Sequence, residues 1–259
     1  LENNGLPDPR VFARVREDFN RFAGTVGALG FNSVSLDDVA HRALHPEYSS
    51  GPRERISRYR DQYAALFEIA RRCGLRVYLT TDVMFYNNEL AHILGRRRAE
   101  ALAFLHDTLE SLFADFSDVG GVITRIGECD GLDVEGEFRS RLIIRTPEQA
   151  RRMIQMLLPV FEKHHRHFIF RTWTVGAYRI GDLMWNRNTF DAVFGALRSD
   201  NFIVSLKYGE SDFFRFLPVN GLFFRSAHRK IVELQARREY EGFGLYPSFI
   251  GREYEAIHR

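Results

Sequence analysis

The sequence has 259 residues, of which 45% are hydrophobic, and its formal net charge is +2. This length and composition can support one large hydrophobic core, and the near-neutral charge gives no overall field to attract nucleic acid. No apolar run approaches the roughly 20 residues of a membrane-spanning helix. We therefore expect a single domain over residues 1–259 without a nucleic-acid or membrane partner. Because the chain begins at Leu1 rather than Met, a piece of a larger protein is an open alternative.

The first half of the chain alternates helical and strand patterns. Helical periodicity covers residues 8–29, with Pro9 near its start and Gly30 at its end. Further periodicity predicts a strand at 31–36, a helix at 55–72, a strand at 76–81, a helix at 90–116 and a strand at 121–127.

The same alternation continues in the second half. The predicted elements are a helix at 146–165, a strand at 168–173, a helix at 189–197 and strands at 202–207, 230–240 and 245–250. About seven strands separated mostly by helices favour a parallel sheet and a (β/α)₈ TIM-type barrel. Because the chain opens on a helix, we expect the first barrel strand to be irregular or absent. A doubly wound sheet is the alternative fold, but its usual G-x-G-x-x-G loop does not occur.

Polar residues follow most of the predicted strands. They are Asp37 and Asp38, Asp82, Glu128 and Asp130, Arg171 and Trp173, Lys207 and Asp212, and Glu239. In a barrel the C-terminal strand ends meet at one mouth, where ligands bind. Several carboxylates around one cavity suit glycoside hydrolysis, in which one acid protonates the leaving oxygen and another group attacks or activates water. Any one of these residues alone is more simply explained as a solvated carboxylate or an ion pair.

Two motifs near the C-terminus are more specific. The first is Lys207-Tyr208-Gly209-Glu210-Ser211-Asp212-Phe213, and the second places Glu233, Gln235, Glu239 and Tyr240 in one run. Upstream, Gly120-Gly121-Val122 precedes Glu128, and Arg171 stands in Phe170-Arg171-Thr172-Trp173. These segments resemble the catalytic barrel of the glycoside hydrolase family 67 α-glucuronidases.

The resemblance implies an inverting hydrolase that removes a terminal sugar, a uronic acid in that family, from plant or algal oligosaccharides. It implies Glu128 as the general acid, and Asp212 with Glu239 as the groups that position and deprotonate water. Lys207 and Arg171 would bind the polar or negative end of the sugar. The other substrate-binding candidates are Trp173, Asp37, Asp82 and Gln235. We expect an oligosaccharide partner, no cofactor and no metal.

One family position differs in a way that concerns the sugar. Thr124 stands where the family has a lysine four residues before the acid, and we expect strand alternation to turn the neighbouring Arg125 to the other face. Three alternatives therefore stay open: a glycosidase for another sugar, a glycan-binding barrel without turnover, and a lyase or isomerase using Lys207 as a base or Schiff-base amine. The sequence does not fix the oligomeric state or the compartment, for which a bacterial cytoplasm or periplasm is the expectation.

Overall fold

The computed structural model describes residues 8–126, 139–174, 180–209, 218–234 and residue 255. The helices in these ranges are α1 (Pro9–Ala28), α2 (Ser50–Arg72), α3 (Asn88–Leu94), α4 (Arg98–Asp115), α5 (Pro147–Lys163) and α6 (Arg187–Phe194). The strands are β1 (Ser33–Leu36), β2 (Arg76–Asp82), β3 (Phe85–Tyr86), β4 (Val119–Arg125), β5 (Arg139–Ser140), β6 (His167–Arg171), β7 (Phe202–Lys207) and β8 (Arg229–Glu233). In the described ranges no helix has both the length and the apolar character of a membrane span.

The main sheet has six strands in the order β1-β2-β4-β6-β7-β8, and every neighbouring pair is parallel. This order follows the chain without reversal. A doubly wound sheet reverses its strand order at a switch point, whereas a barrel adds each strand beside the preceding one. The order therefore favours the barrel-like α/β fold over the open alternative. Closure by eight strands is not seen in the described ranges, where β3 and β5 form a separate antiparallel pair.

Local sequence signals explain where the helices begin. The carboxylate of Asp8 accepts a hydrogen bond from the Arg10 N–H at 2.8 Å, and Pro9 occupies the first turn of α1. At α5, the Thr146 hydroxyl accepts from the Gln149 N–H at 3.3 Å, again with a proline in the first turn. Both helices lie close to their predicted bounds.

The predicted helix at 90–116 is wrong as a single element. The structure has two helices there, α3 and α4, separated at Gly95. Gly95 has φ 56°, and its N–H donates to the Ala91 carbonyl at 3.1 Å. A left-handed glycine ends a helix by this kind of bond, so the apolar periodicity continues across a real break.

The two faces of the sheet have different environments. On β2, Val77, Leu79 and Thr81 are buried, while Tyr78, Thr80 and Asp82 on the other face are partly exposed. The buried face packs beneath the helices in the hydrophobic core. The second, inner face carries the polar side chains that make up the candidate site.

At the two ends of the chain, the described strands follow the predictions in part. The first described element is α1, and β1 follows it, as expected for a chain without a regular first strand in residues 9–28. The predicted strand at 230–240 is described as far as Leu234 and is a strand over Arg229–Glu233. The predicted strand at 245–250 lies outside the described residues.

Candidate active site

The structure places five of the predicted site residues at one edge of the sheet. Asp37 follows β1, Asp82 ends β2, Arg171 ends β6 and Lys207 ends β7, while Trp173 lies two residues beyond β6. Because these strands are parallel members of one sheet, their C-terminal ends share one edge. We call this edge of the inner face the mouth. Glu128, Asp212, Gln235 and Glu239 lie outside the described residues.

An ion pair joins β2 and β4 at the mouth. Asp82 and Arg125 are partners in the β2–β4 register, and the Arg125 Nε donates to the Asp82 Oδ1 at 2.8 Å. The Nη2 of Arg125 also lies 4.0 Å from the Asp37 Oδ1, across β2. The guanidinium of Arg125 therefore links the ends of three successive strands.

The expectation that Arg125 points away from the site is wrong. Thr124 is the residue that points to the core: it is buried, and its hydroxyl donates to the Ile169 carbonyl at 3.2 Å. Strand alternation then turns Arg125 to the inner face. The alternation of the strand itself holds, but the resemblance placed Thr124 on the inner face, where the structure has Arg125.

Among the described acids of the mouth, Asp37 is the most exposed, with a side chain 70% exposed. The Thr80 hydroxyl donates to its Oδ1, and the Tyr63 hydroxyl donates to its backbone carbonyl. These hydrogen bonds fix the Asp37 backbone and one of its carboxylate oxygens. The other carboxylate oxygen is accessible from the mouth because the side chain is exposed.

A second ion pair crosses the other side of the mouth. The Nε of Arg171 donates to both carboxylate oxygens of Glu233, at 3.1 and 2.9 Å. The Ser205 hydroxyl, on the strand between them, donates to the Glu233 Oε1 at 2.9 Å. Both charged side chains are mostly buried, with 21% and 15% exposed. Such a charge-assisted, partly buried pair fixes the geometry of both partners.

Lys207 lies beside this pair, two residues beyond Ser205 on β7. Its backbone pairs with Glu233, and its side chain is buried, with only 6% exposed. The Nζ is 3.3 Å from the centroid of a Trp173 ring. An ammonium over an indole face is a favourable cation–π contact, so Trp173 and Lys207 orient each other at the mouth.

Asp38 has a distinct environment from its neighbour Asp37. Its Oδ1 accepts the Ala40 N–H at 2.6 Å and begins a short 3-10 helix at Val39–Arg42. Burial raises the pKa of the Asp38 carboxyl to about 7, against the lowering effect of that hydrogen bond, and the carboxylates of Asp82 and Asp37 raise the pKa further. Near neutral pH, Asp38 is therefore a carboxyl that can both hold and release a proton.

Among the described residues of the mouth, Arg125 and Glu233 were not predicted as site residues from sequence, although Glu233 belongs to the C-terminal motif. The signal available for both is their position, since Arg125 is the last residue of β4 and Glu233 the last residue of β8. Which carboxylate meets which arginine depends on the register between strands, which no periodicity reveals. Among the described residues, no cluster of three His, Cys, Asp or Glu side chains could hold a metal ion.

Comparison with known protein families gives no match, and comparison with curated protein sequences gives none either. Among solved structures, GH5_18 from Streptomyces cattleya in complex with GlcNAc is 18% identical, with a TM-score of 0.47 over 73% of this chain and 46% of that one. A hyperthermophilic endo-beta-1,4-glucanase in complex with substrate is 14% identical, with a TM-score of 0.45 over 76% of this chain and 54% of that one. A GH5 xyloglucanase from Bacteroides ovatus, in complex with a XXXG heptasaccharide, is 14% identical, with a TM-score of 0.44 over 83% of this chain and 43% of that one.

The chain thus spans about half the length of the solved structures it matches. With identities of 18% or less and TM-scores of 0.47 or less, these likenesses assign neither an activity nor a substrate to this chain. The fold rests on the strand order, and the function has to be argued from the mouth itself.

Proposed function

We propose that this protein is a glycoside hydrolase whose active site is the mouth of the sheet. The observation that carries the proposal is the set of acidic and basic side chains on the inner face at the strand ends, with a tryptophan beside them. Sugars offer hydroxyl groups that donate to carboxylates, and their rings pack against indole faces. The C-terminal edge of a barrel-like sheet is also where catalytic residues gather.

The resemblance to the family 67 α-glucuronidases supports the assignment of roles. Glu128 is the proposed general acid, and Asp212 and Glu239 are proposed to position and deprotonate the attacking water. Glu128 follows Arg125 by three residues, Asp212 follows Lys207 by five and Glu239 follows Glu233 by six. Each proposed catalytic residue is thus close along the chain to a charged residue of the mouth.

The proposed mechanism is an inverting displacement. The acid protonates the leaving oxygen while water attacks from the opposite face of the sugar, which requires the acid and base carboxyls to stand roughly 6.5–9.5 Å apart. A terminal sugar of an oligosaccharide is the proposed substrate. Lys207, Arg171 and Gln235 are proposed to bind its polar groups, Asp37 and Asp82 to accept hydrogen bonds from its hydroxyl groups, and Trp173 to pack on its ring.

The test is a screen with aryl glycosides and xylo-oligosaccharides, read by released monosaccharide and by NMR of the anomer formed first. Glu128→Gln should slow hydrolysis of unactivated substrates by roughly a hundredfold to ten-thousandfold and slow activated aryl glycosides less. Asp212→Asn and Glu239→Gln should slow both substrate types alike, because both need an activated water.

The matched control is Glu110→Gln, which removes a carboxylate that pairs with Lys163 at the helical surface. It should leave turnover unchanged. Retained configuration in the product would rule out the inverting mechanism but leave the hydrolase. Saccharide binding without any release of sugar would show a glycan-binding barrel, the alternative to the enzyme.

A further inference from the structure

We infer that the sugar bound at the mouth is neutral and not a uronic acid. This inference rests on the proposed function, because it concerns the substrate class of the same site. Its starting point is that each cation described at the mouth already has a partner within the protein.

Arg171 is the residue expected to bind a sugar carboxylate, and its guanidinium is engaged by Glu233. The Nε edge of a guanidinium is one of the edges that bind a carboxylate in a forked arrangement. Here Nε donates to both oxygens of Glu233, which the Ser205 hydroxyl also holds. A sugar carboxylate at that edge would have to displace Glu233, which is mostly buried and is held by Arg171 from β6 and by Ser205 from β7.

Arg125 is similarly committed. Its Nε donates to Asp82 at 2.8 Å, and Asp37 lies 4.0 Å from its Nη2. The Lys207 ammonium lies over the Trp173 ring and is almost fully buried. Thr124, at the position where the family carries a lysine, is buried in the core and donates to a backbone carbonyl.

The described cations of the mouth are already engaged within the protein. Arg125 pairs with Asp82 and lies near Asp37, and Arg171 pairs with Glu233. A bound uronate would add a further negative charge beside Asp37, the exposed acid, where each described cation already has a contact of its own. Placing a charge without a partner is costly, and like charges in proximity repel. The hydroxymethyl or hydroxyl group of a neutral sugar instead donates to the same carboxylates.

A matched pair of substrates tests the inference, 4-nitrophenyl glucosides and 4-nitrophenyl glucuronides in both anomers. The two sugars differ only at C6, where one has a hydroxymethyl group and the other a carboxylate. We expect kcat/KM for the glucoside to exceed that for the glucuronide by about tenfold or more, because the glucuronide carboxylate meets like charge at Asp37 whereas the hydroxymethyl group can donate a hydrogen bond to it. The same order should hold for binding of the free sugars, followed by NMR.

Two variants make the charge argument specific. Glu233→Gln and Asp82→Asn each remove one negative charge from an arginine, so each should shift the glucuronide-to-glucoside ratio about tenfold toward the glucuronide. Glu110→Gln, on the helical surface, should not move the ratio. Because the two variants act on different arginines, loss of folding in one leaves the other as the test.

The outcomes separate the two proposals. A preference for the glucuronide in the wild-type protein overturns the neutral-sugar inference while the hydrolase stands. An unchanged ratio in a folded Glu233→Gln or Asp82→Asn variant also overturns it, since the ion pairs would then not set the selectivity. No turnover and no binding of any sugar overturns the proposed function, and the inference with it.

Discussion

Arg171 and Glu233 form an ion pair across a strand that belongs to neither of them. Arg171 ends β6, Glu233 ends β8, and β7 lies between, contributing the Ser205 hydroxyl to the same carboxylate. The pair therefore ties together the C-terminal ends of three strands. Since those ends form the mouth, the geometry of the site depends on a contact that also stabilises the sheet.

This dual role predicts a measurable coupling between the two side chains. Arg171→Ala and Glu233→Ala should each lower the free energy of unfolding, because each leaves a mostly buried charge without its partner, and the coupling in a double-mutant cycle should be roughly 1–3 kcal/mol. Urea unfolding of the four proteins measures it. The control cycle uses Arg58 and Glu54, an exposed i,i+4 pair on α2, for which we expect about 0.5 kcal/mol or less. Equal coupling in the two cycles would contradict a structural role for the mouth pair.

The raised pKa of Asp38 predicts a dependence of stability on pH. In the unfolded chain the carboxyl titrates at its ordinary pKa of 3.8, and in the folded protein at about 7. Between these values the unfolded state binds fewer protons than the folded state, so ionisation of Asp38 lowers the stability of the fold as the pH rises from about 4 to 7. Below the unfolded pKa this effect is absent.

The measurement is the difference in unfolding free energy between wild type and Asp38→Asn at several pH values. The asparagine keeps an oxygen to accept the Ala40 N–H but cannot ionise. Relative to wild type, the variant should gain stability steadily between pH 4 and pH 7. Other titrating groups cancel in the difference. A difference that does not change with pH would mean that Asp38 ionises normally in the folded protein.

The sequence predicted some elements far better than others, for identifiable reasons. β7 agrees with its prediction at both ends, because a continuous apolar run between polar residues is typical of a strand buried on both faces, and all six of its residues are buried. The break at Gly95 was missed because the apolar spacing continues through it. A glycine inside a helical pattern does not by itself show whether it adopts the left-handed conformation.

The candidate site could be predicted only in outline. Strand-end position correctly brought Asp37, Asp82, Arg171 and Lys207 to one edge. The pairing of Arg125 with Asp82, and of Arg171 with Glu233, depends on which residues face each other across strands. That register is set by packing of the whole sheet, so it lies beyond the reach of a single-sequence pattern.

Gly121 should tolerate no side chain. A Cβ built on it would lie 2.0 Å from the His167 carbonyl oxygen, which belongs to the backbone of the adjacent strand β6. Gly121→Ala should therefore destabilise the protein by roughly 3 kcal/mol or more, since neither backbone can move without disturbing the sheet. Gly24→Ala is the opposite control: nothing lies near its Cβ position, in the exposed face of α1, and it should stabilise by roughly 0.5–1 kcal/mol. Thermal unfolding of the two variants measures these changes in stability. A small change in Gly121→Ala, similar in size to that in Gly24→Ala, would contradict the close contact between Gly121 and the His167 carbonyl.

Arg42 is a buried cation held mainly by aromatic rings. Only 4% of it is exposed, and its guanidinium carbon is 3.9 Å from the Phe116 ring centroid. Neither Nε nor Nη1 has a hydrogen-bond partner among the described residues. Burial and the nearby Arg60 lower the pKa of Arg42 to about 10, which leaves it protonated at neutral pH.

These contacts predict that the packing of Arg42 matters more than its charge. Arg42→Met keeps an unbranched apolar stem and removes the desolvated charge, so its unfolding free energy should stay within about 1 kcal/mol of wild type or rise. Arg42→Ala should lose roughly 2–4 kcal/mol through the cavity it leaves. Chemical denaturation of the two variants gives the comparison. An equal loss of unfolding free energy in Arg42→Met and Arg42→Ala would show that the guanidinium itself is required.

Trp173 should report saccharide binding, because it lies at the mouth against Lys207. The other tryptophan, Trp185, is 44% exposed and follows Trp173 by twelve residues along the chain. The variant Trp185→Phe leaves Trp173 as its one tryptophan. Binding of a neutral oligosaccharide to this variant should change its intrinsic fluorescence, because a sugar ring that packs nearby changes the environment of Trp173. In Trp173→Phe the ligand-dependent change should disappear and the affinity should fall about tenfold, as expected for loss of one aromatic contact of roughly 1–1.5 kcal/mol.

Lys207→Met should alter the fluorescence of Trp173 even without ligand, because it removes the ammonium 3.3 Å from the ring. A full ligand response in Trp173→Phe would move the binding site away from this mouth.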